Sequence, residues 1–225
     1  MPQPQSHGPT VLARTSNAVR NTAAAFGTYA GVLGMEHGFF ETLQGNTHIK
    51  GVRIMAVGGP GLPFPFGHEP AMTLIPNYLF TGIAAMLTGL AIVLWSAACL
   101  QSRHGAVVLL LLSVALLLAG GGFGPISLLI AACIAASRIG KPVPWALKHL
   151  QPGVKRSLAL LWPWVFSAAL LWVPAEFALG QLLHLQNDHR QTLSNLNLLL
   201  SYPMLALFAL SLITSFVHHA QRQGE

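Results

Sequence analysis

Two long stretches of the chain contain no charged residue, and they constrain the fold more than any other feature. Residues 70–102 and 105–137 contain no Asp, Glu, Lys or Arg. Segments of about 18 or more apolar residues without charges are typical of helices that span a membrane. Only 8% of the whole chain is charged, against about 25% in ordinary soluble domains. The sequence therefore predicts an all-α integral membrane protein.

The apolar segments predict a bundle of about six transmembrane helices. Residues 105–137 are ambiguous, because a single helix of that length would measure about 50 Å and the hydrocarbon core is about 30 Å thick. Three consecutive glycines from Gly120, followed by Pro125, weaken a helix there. Two short helices are therefore favoured, and one broken helix would reduce the number to five. The six predicted helices cover residues 22–43, 77–100, 105–120, 125–138, 157–178 and 195–217.

The positive charges predict the orientation of this bundle. Lys and Arg accumulate in cytoplasmic loops, and six helices with both termini inside place nine of these residues on the inner face and three on the outer face. The five-helix arrangement gives eight against four. We expect a multi-pass protein of a bacterial cytoplasmic membrane. Its parts are a cytoplasmic segment 1–20, one transmembrane domain 21–218 and a cytoplasmic tail 219–225.

Two connections between the predicted helices are long. The outer loop 45–76 contains the segment GGPGLPFPFGHEP at residues 58–70, in which we expect Gly and Pro to prevent regular structure. We expect the loop to fold back over the helix ends. The inner loop 139–156 is basic, which predicts contact with anionic lipid headgroups. No basic run is interleaved with aromatic residues, so the charge gives no indication of nucleic-acid binding.

Four glycines form one narrow stripe along the first predicted helix. Positions 27, 31, 34 and 38 fall within about 60° of one another at 100° per residue. Small residues at these spacings allow a neighbouring helix to approach closely. The sequence thus predicts a helix-packing seam made of Gly27, Gly31, Gly34 and Gly38.

Ionisable residues interrupt the outer part of the same helix. His37 and Glu41 are four residues apart, which brings their side chains within reach of each other at the edge of the glycine seam. Glu36 points to the opposite side, so it needs a partner from another helix or an aqueous cavity. Ionisable groups at membrane depth are costly and are usually paired, close to an interface, or functional.

Other acidic residues and histidines also belong to the predicted outer half. One interpretation is that the carboxylates merely lie opposite a cation-rich inner face and the histidines are interfacial polar groups. The other is that these groups converge, and two chemical hypotheses follow from it. The first is transport of a small solute or ion, or a channel-like activity, through a proton-titratable outer cavity. The candidate residues for this cavity are Glu36, His37, Glu41, Glu176 and Asn195.

The second hypothesis is a membrane-embedded, metal-dependent enzyme that acts on a lipid. Neutral imidazoles and carboxylates can bind a divalent metal such as zinc. The chain has no compact metal motif such as HExxH and no nucleophile elbow, so a non-enzymatic role is favoured. The candidate metal ligands are His37, Glu41, His68 and His184.

A third reading involves no chemistry. The chain is then an accessory or assembly subunit, in which the glycine stripe and the apolar outer loop contact another membrane protein or a second copy of the chain.

Overall fold

The computed structural model describes residues 18–57, 69–141, 150–186 and 190–224. Within these residues the chain forms six α-helices and one two-stranded β-sheet, which confirms the predicted number of helices. The elements are, in chain order, α1 Ala18–Leu43, β1 Arg53–Val57, β2 Glu69–Met72, α2 Tyr78–Ala98, α3 Gly105–Leu118, α4 Phe123–Ala136, α5 Pro152–Gln186 and α6 Arg190–Gly224.

The ambiguous apolar stretch forms two helices. α3 and α4 are each 14 residues long, and they are joined by residues 119–122. Gly120 and Gly122 have φ angles of +94° and +78°, a backbone conformation that side chains with a β-carbon disfavour. The glycine run therefore ends one helix and allows the next to begin in a new direction.

The last two helices extend beyond their predicted ends. α5 was predicted over residues 157–178 and α6 over 195–217, but each contains 35 residues. The prediction followed the apolar character of the sequence, whereas the backbone hydrogen bonding continues into the polar ends. α5 also continues through Pro163 and Pro174; proline is tolerated in helices of membrane proteins when the released backbone groups find other partners.

The sequence did not predict the small sheet. β1 and β2 pair in antiparallel fashion within the long outer loop. The expectation that residues 58–70 lack regular structure is therefore wrong for Glu69 and Pro70, which begin β2. The glycines and prolines on which that expectation rested lie mostly in residues 58–68, which are outside the described part. A small buried cluster beneath the hairpin explains its order: Ile49, Ile54, Ala56 and Ala71, packed with Phe40 and Tyr78.

The hairpin lies over one end of the helices, which we call the hairpin end. The amide of Leu74 donates to the carbonyl of Leu118 at 2.9 Å, and the amide of Gly120 donates to the carbonyl of Met72 at 2.9 Å. The chain after β2 is thus tied to the turn between α3 and α4. We call the end that carries the N-terminus of α1 and the C-terminus of α6 the opposite end.

α1 occupies the centre and packs against α2, α4 and α6. Its glycines are in contact with other helices of the same chain. A β-carbon on Gly31 would lie 2.7 Å from the carbonyl oxygen of Gly89 in α2, and one on Gly38 would lie 2.9 Å from the amide nitrogen of Met86. Backbone meets backbone along this contact. The other two glycines face side chains: Gly27 faces Ser96 of α2, and Gly34 faces Leu116 of α3.

In the part of the chain that the structure describes, three segments are long and apolar enough to cross a membrane. They are Tyr78–Ala98, Pro152–Glu176 and Tyr202–Gln221. Large apolar side chains are exposed on the outside of the bundle, whereas several hydroxyl and ionisable side chains are buried within it. Among the exposed apolar residues are Phe80, Leu87, Leu94, Leu111, Leu160, Trp164 and Leu171.

Candidate functional site

The candidate site begins with two buried ionisable side chains at the hairpin end of α1. His37 is 4% exposed and Glu41 is 0% exposed. They lie one helical turn apart on the face that meets α2 and the α3–α4 turn. The sequence placed them together on one face, but they do not hydrogen bond to each other, because Glu41 has no hydrogen-bond partner among the described residues.

The two ring nitrogens of His37 contact Leu33 and Glu69 rather than Glu41. Nδ1 lies 3.0 Å from the carbonyl oxygen of Leu33, and a carbonyl can only accept, so Nδ1 carries a hydrogen. Nε2 lies 2.9 Å from Oε2 of Glu69 in β2, within the range of an ion pair. A neutral imidazole that donates from Nδ1 accepts at Nε2, and a carboxylate also accepts. The pair is therefore attractive only when a proton lies between Nε2 and Oε2.

The carboxyl group of Glu41 is buried, and no basic side chain among the described residues forms an ion pair with it. Neither of its oxygens has a hydrogen-bond partner among the described residues. A β-carbon on Gly120 would lie 2.6 Å from Oε2 of Glu41, so the carboxyl group packs directly against the backbone of the glycine turn. Burying an unpaired carboxylate is very costly. With the partners that the described residues offer, the position therefore favours a proton or a small cation on Glu41.

The α3–α4 turn closes over both side chains. A β-carbon on Gly122 would lie 2.8 Å from Cε1 of His37, in the same way that Gly120 meets Glu41. The hydroxyl of Thr81 in α2 donates to the carbonyl of Ala119 at 2.8 Å, which fixes the turn from a third direction. The sequence identified the glycine run as a helix break, but only the structure shows that it forms the wall of a polar site.

Three partly exposed carboxyl groups lie close enough to interact with one another beside the site. Glu36, Glu69 and Glu176 are each partly exposed, and the charge of Glu69 acts on both Glu36 and Glu176. Glu69 was not among the residues predicted for the transport cavity, although it is the one that contacts His37. The sequence did not indicate this contact, because Glu69 follows a Gly/Pro-rich loop and the register of the hairpin decides where its side chain points.

The positions of the remaining candidate side chains lie outside the described structure. His68 lies outside the described residues, and the side chains of His184 and Asn195 are not among those described. In the described part of the chain, no three His, Cys, Asp or Glu side chains form a group that could hold a metal ion. Two of the four proposed metal ligands are thus outside that search, and the metal site stays a prediction.

Comparison of the chain with family models, with curated proteins and with solved structures gives no match. The functional argument therefore depends on the geometry of the site.

Proposed function

We propose that the chain is a multi-pass membrane protein with transport or channel-like activity, which moves protons, alone or coupled to a small solute or ion, through the site around Glu41. The hairpin end would face the outside of a bacterial cytoplasmic membrane, with both termini inside. The basic loop 139–156, of which residues 142–149 are not described, would contact anionic headgroups.

The arrangement of the exterior and the interior supports the membrane assignment. The three long apolar helices carry exposed leucine, phenylalanine and tryptophan side chains, which water disfavours but lipid accommodates. The buried polar residues point inward, as polar groups in membrane bundles do. They include Thr22, His37, Glu41, Thr81, Ser96, Ser113, Ser211, Thr214 and Ser215.

The short helices α3 and α4 support the transport assignment. Fourteen residues extend about 21 Å, which is less than the thickness of the hydrocarbon core. Their glycine turn would therefore lie below the outer surface, beside Glu41. Transporters place non-helical backbone at this depth where it lines a binding site.

The single observation that carries the proposal is the buried carboxyl group of Glu41, for which the described part of the chain offers no hydrogen-bond partner. A carboxyl group that is fully buried and has no hydrogen-bond donor can remain there only while a proton or cation is bound to it. Next to it, the His37–Glu69 pair would hold a second proton close to solvent, because the side chain of Glu69 is partly exposed. Two neighbouring groups that must bind and release cations are what proton-coupled transport requires.

Proton uptake into proteoliposomes tests the proposal. We expect purified protein to acidify a trapped pH dye faster than empty liposomes do, when the exterior is made acidic and valinomycin with K⁺ clamps the potential. Glu41→Gln keeps the size of the side chain but removes its titration, so uptake should fall to the level of empty liposomes.

The matched control is Glu225→Gln, which removes a carboxyl group at the last residue of the chain and should leave uptake unchanged. Equal uptake by the wild-type and Glu41→Gln proteins, with both folded, would remove Glu41 from the mechanism.

The accessory-subunit hypothesis loses one of its two supports. Its glycine stripe is packed within the chain, against α2 and α3, so only the outer loop would remain for a partner. No contact in the described structure favours the enzyme hypothesis over transport.

A further inference from the structure

α1 carries a second buried polar region, at the opposite end of the bundle. Thr22 is 0% exposed, and its hydroxyl accepts a hydrogen bond from Nε1 of Trp162 in α5 at 3.2 Å. Ser211 and Ser215 of α6 are also 0% exposed, and Oγ of Ser211 has no hydrogen-bond partner in the described structure. We call Thr22, Ser211 and Ser215 the opposite-end cluster.

An aromatic layer separates this cluster from the site around Glu41. Phe26 lies one helical turn from Thr22 on α1 and is 0% exposed. Its ring centroid is 5.3 Å from that of Phe208 in α6 and 6.1 Å from that of Phe166 in α5. One ring from each of three helices therefore meets at the same level of the bundle.

The spacing along α1 places the aromatic layer between two polar regions. Thr22 and His37 are about 22 Å apart along the helix axis, at 1.5 Å per residue. The buried α1 residues between Phe26 and His37 are apolar or glycine: Gly27, Ala30, Gly31 and Gly34. Beyond His37, a proton or ion that moves inward from Glu41 therefore meets no buried polar side chain of α1 until it has passed Phe26.

We propose that Phe26, with Phe166 and Phe208, is the hydrophobic barrier of the transport path. The path would run from Glu41 to the opposite-end cluster, and the three rings would keep it closed in the conformation described. Hydrophobic constrictions block ions because they exclude the water that would hydrate them. This inference depends on the proposed function, because it assigns the barrier within the same path.

The proteoliposome assay tests the barrier. Phe26→Ala should raise the rate of proton uptake severalfold above that of the wild-type protein, because the missing ring leaves room for water. We call this excess over the wild-type rate the leak. Phe26→Leu keeps a large apolar side chain at this position, so its rate of proton uptake should remain at the wild-type level. Phe80→Ala is the matched control, because it removes a 59% exposed ring of α2. Its rate of proton uptake should also equal that of the wild-type protein. Phe208→Ala opens the same contact from α6 and serves if Phe26→Ala does not fold.

A double variant distinguishes an opened path from a loosened bundle. If the leak follows the proposed path, Glu41→Gln added to Phe26→Ala should abolish it. A leak that persists in the double variant bypasses the site and overturns the inference, as does the absence of a leak in folded Phe26→Ala and Phe208→Ala.

The two proposals can fail separately. Normal wild-type uptake that depends on Glu41, together with a tight Phe26→Ala protein, would overturn the barrier and leave the proposed function standing. Uptake that Glu41→Gln leaves unchanged would overturn the proposed function itself.

Discussion

Gly120 and Gly124 lie four residues apart in the same glycine-rich segment, but they differ in backbone conformation and in the space around the missing β-carbon. Gly120 has a φ of +94° and meets the carboxyl group of Glu41, whereas Gly124 lies in the first turn of α4 with nothing near its missing β-carbon. Gly120→Ala should cost about 1 to 3 kcal/mol of stability, the usual strain of a non-glycine residue in this region. Thermal unfolding in detergent measures the loss.

Gly124→Ala is the control for this change. It should be neutral or stabilising by up to about 1 kcal/mol, because alanine favours a helix over glycine. Equal destabilisation by the two substitutions would contradict the role assigned to the turn.

At the residue scale, the sequence could predict which face of α1 carries His37 and Glu41, because helical periodicity is local. It could not predict the contact of His37 with Glu69, 32 positions further along the chain, nor that of Glu41 with Gly120. Both contacts depend on where the hairpin and the α3–α4 turn are placed by packing between elements.

At the element scale, the contact between α1 and α2 depends on glycines of both helices. A β-carbon on Gly31 would lie 2.7 Å from the carbonyl oxygen of Gly89, and one on Gly89 would lie 2.6 Å from that of Gly31. Backbone atoms cannot rotate away as side chains can. Gly31→Ala should therefore push the helices apart and cost about 1 to 3 kcal/mol, the range for overpacking.

Chemical unfolding in a constant detergent measures this effect. Gly153→Ala serves as the control, because a β-carbon on Gly153 in α5 would have open space around it, and it should leave stability nearly unchanged. If Gly31→Ala were as stable as the wild-type protein, the close approach of α1 and α2 would be wrong.

The elements themselves could be predicted in part. Six apolar segments and one glycine break define α1 to α6, because helix formation in such segments is governed by local composition. The strands could not be found in this way: RIMAV and EPAM are short, they are separated by a Gly/Pro-rich loop, and their pairing is stabilised by Phe40 and Tyr78 from two helices.

At the scale of the whole molecule, the proposal that lipid surrounds the bundle makes a prediction about two tryptophans of α5. Trp164 is 76% exposed, whereas Trp162 stacks on Phe166 and donates to Thr22. In variants that retain one tryptophan, lipids with brominated acyl chains should quench Trp164 strongly and Trp162 much less. The two residues are neighbours in sequence, so depth in the bilayer differs little between them and the comparison isolates the direction in which each points. Quenching of Trp164 by aqueous iodide instead would show that water, and not lipid, covers this face, and the membrane assignment would then be wrong.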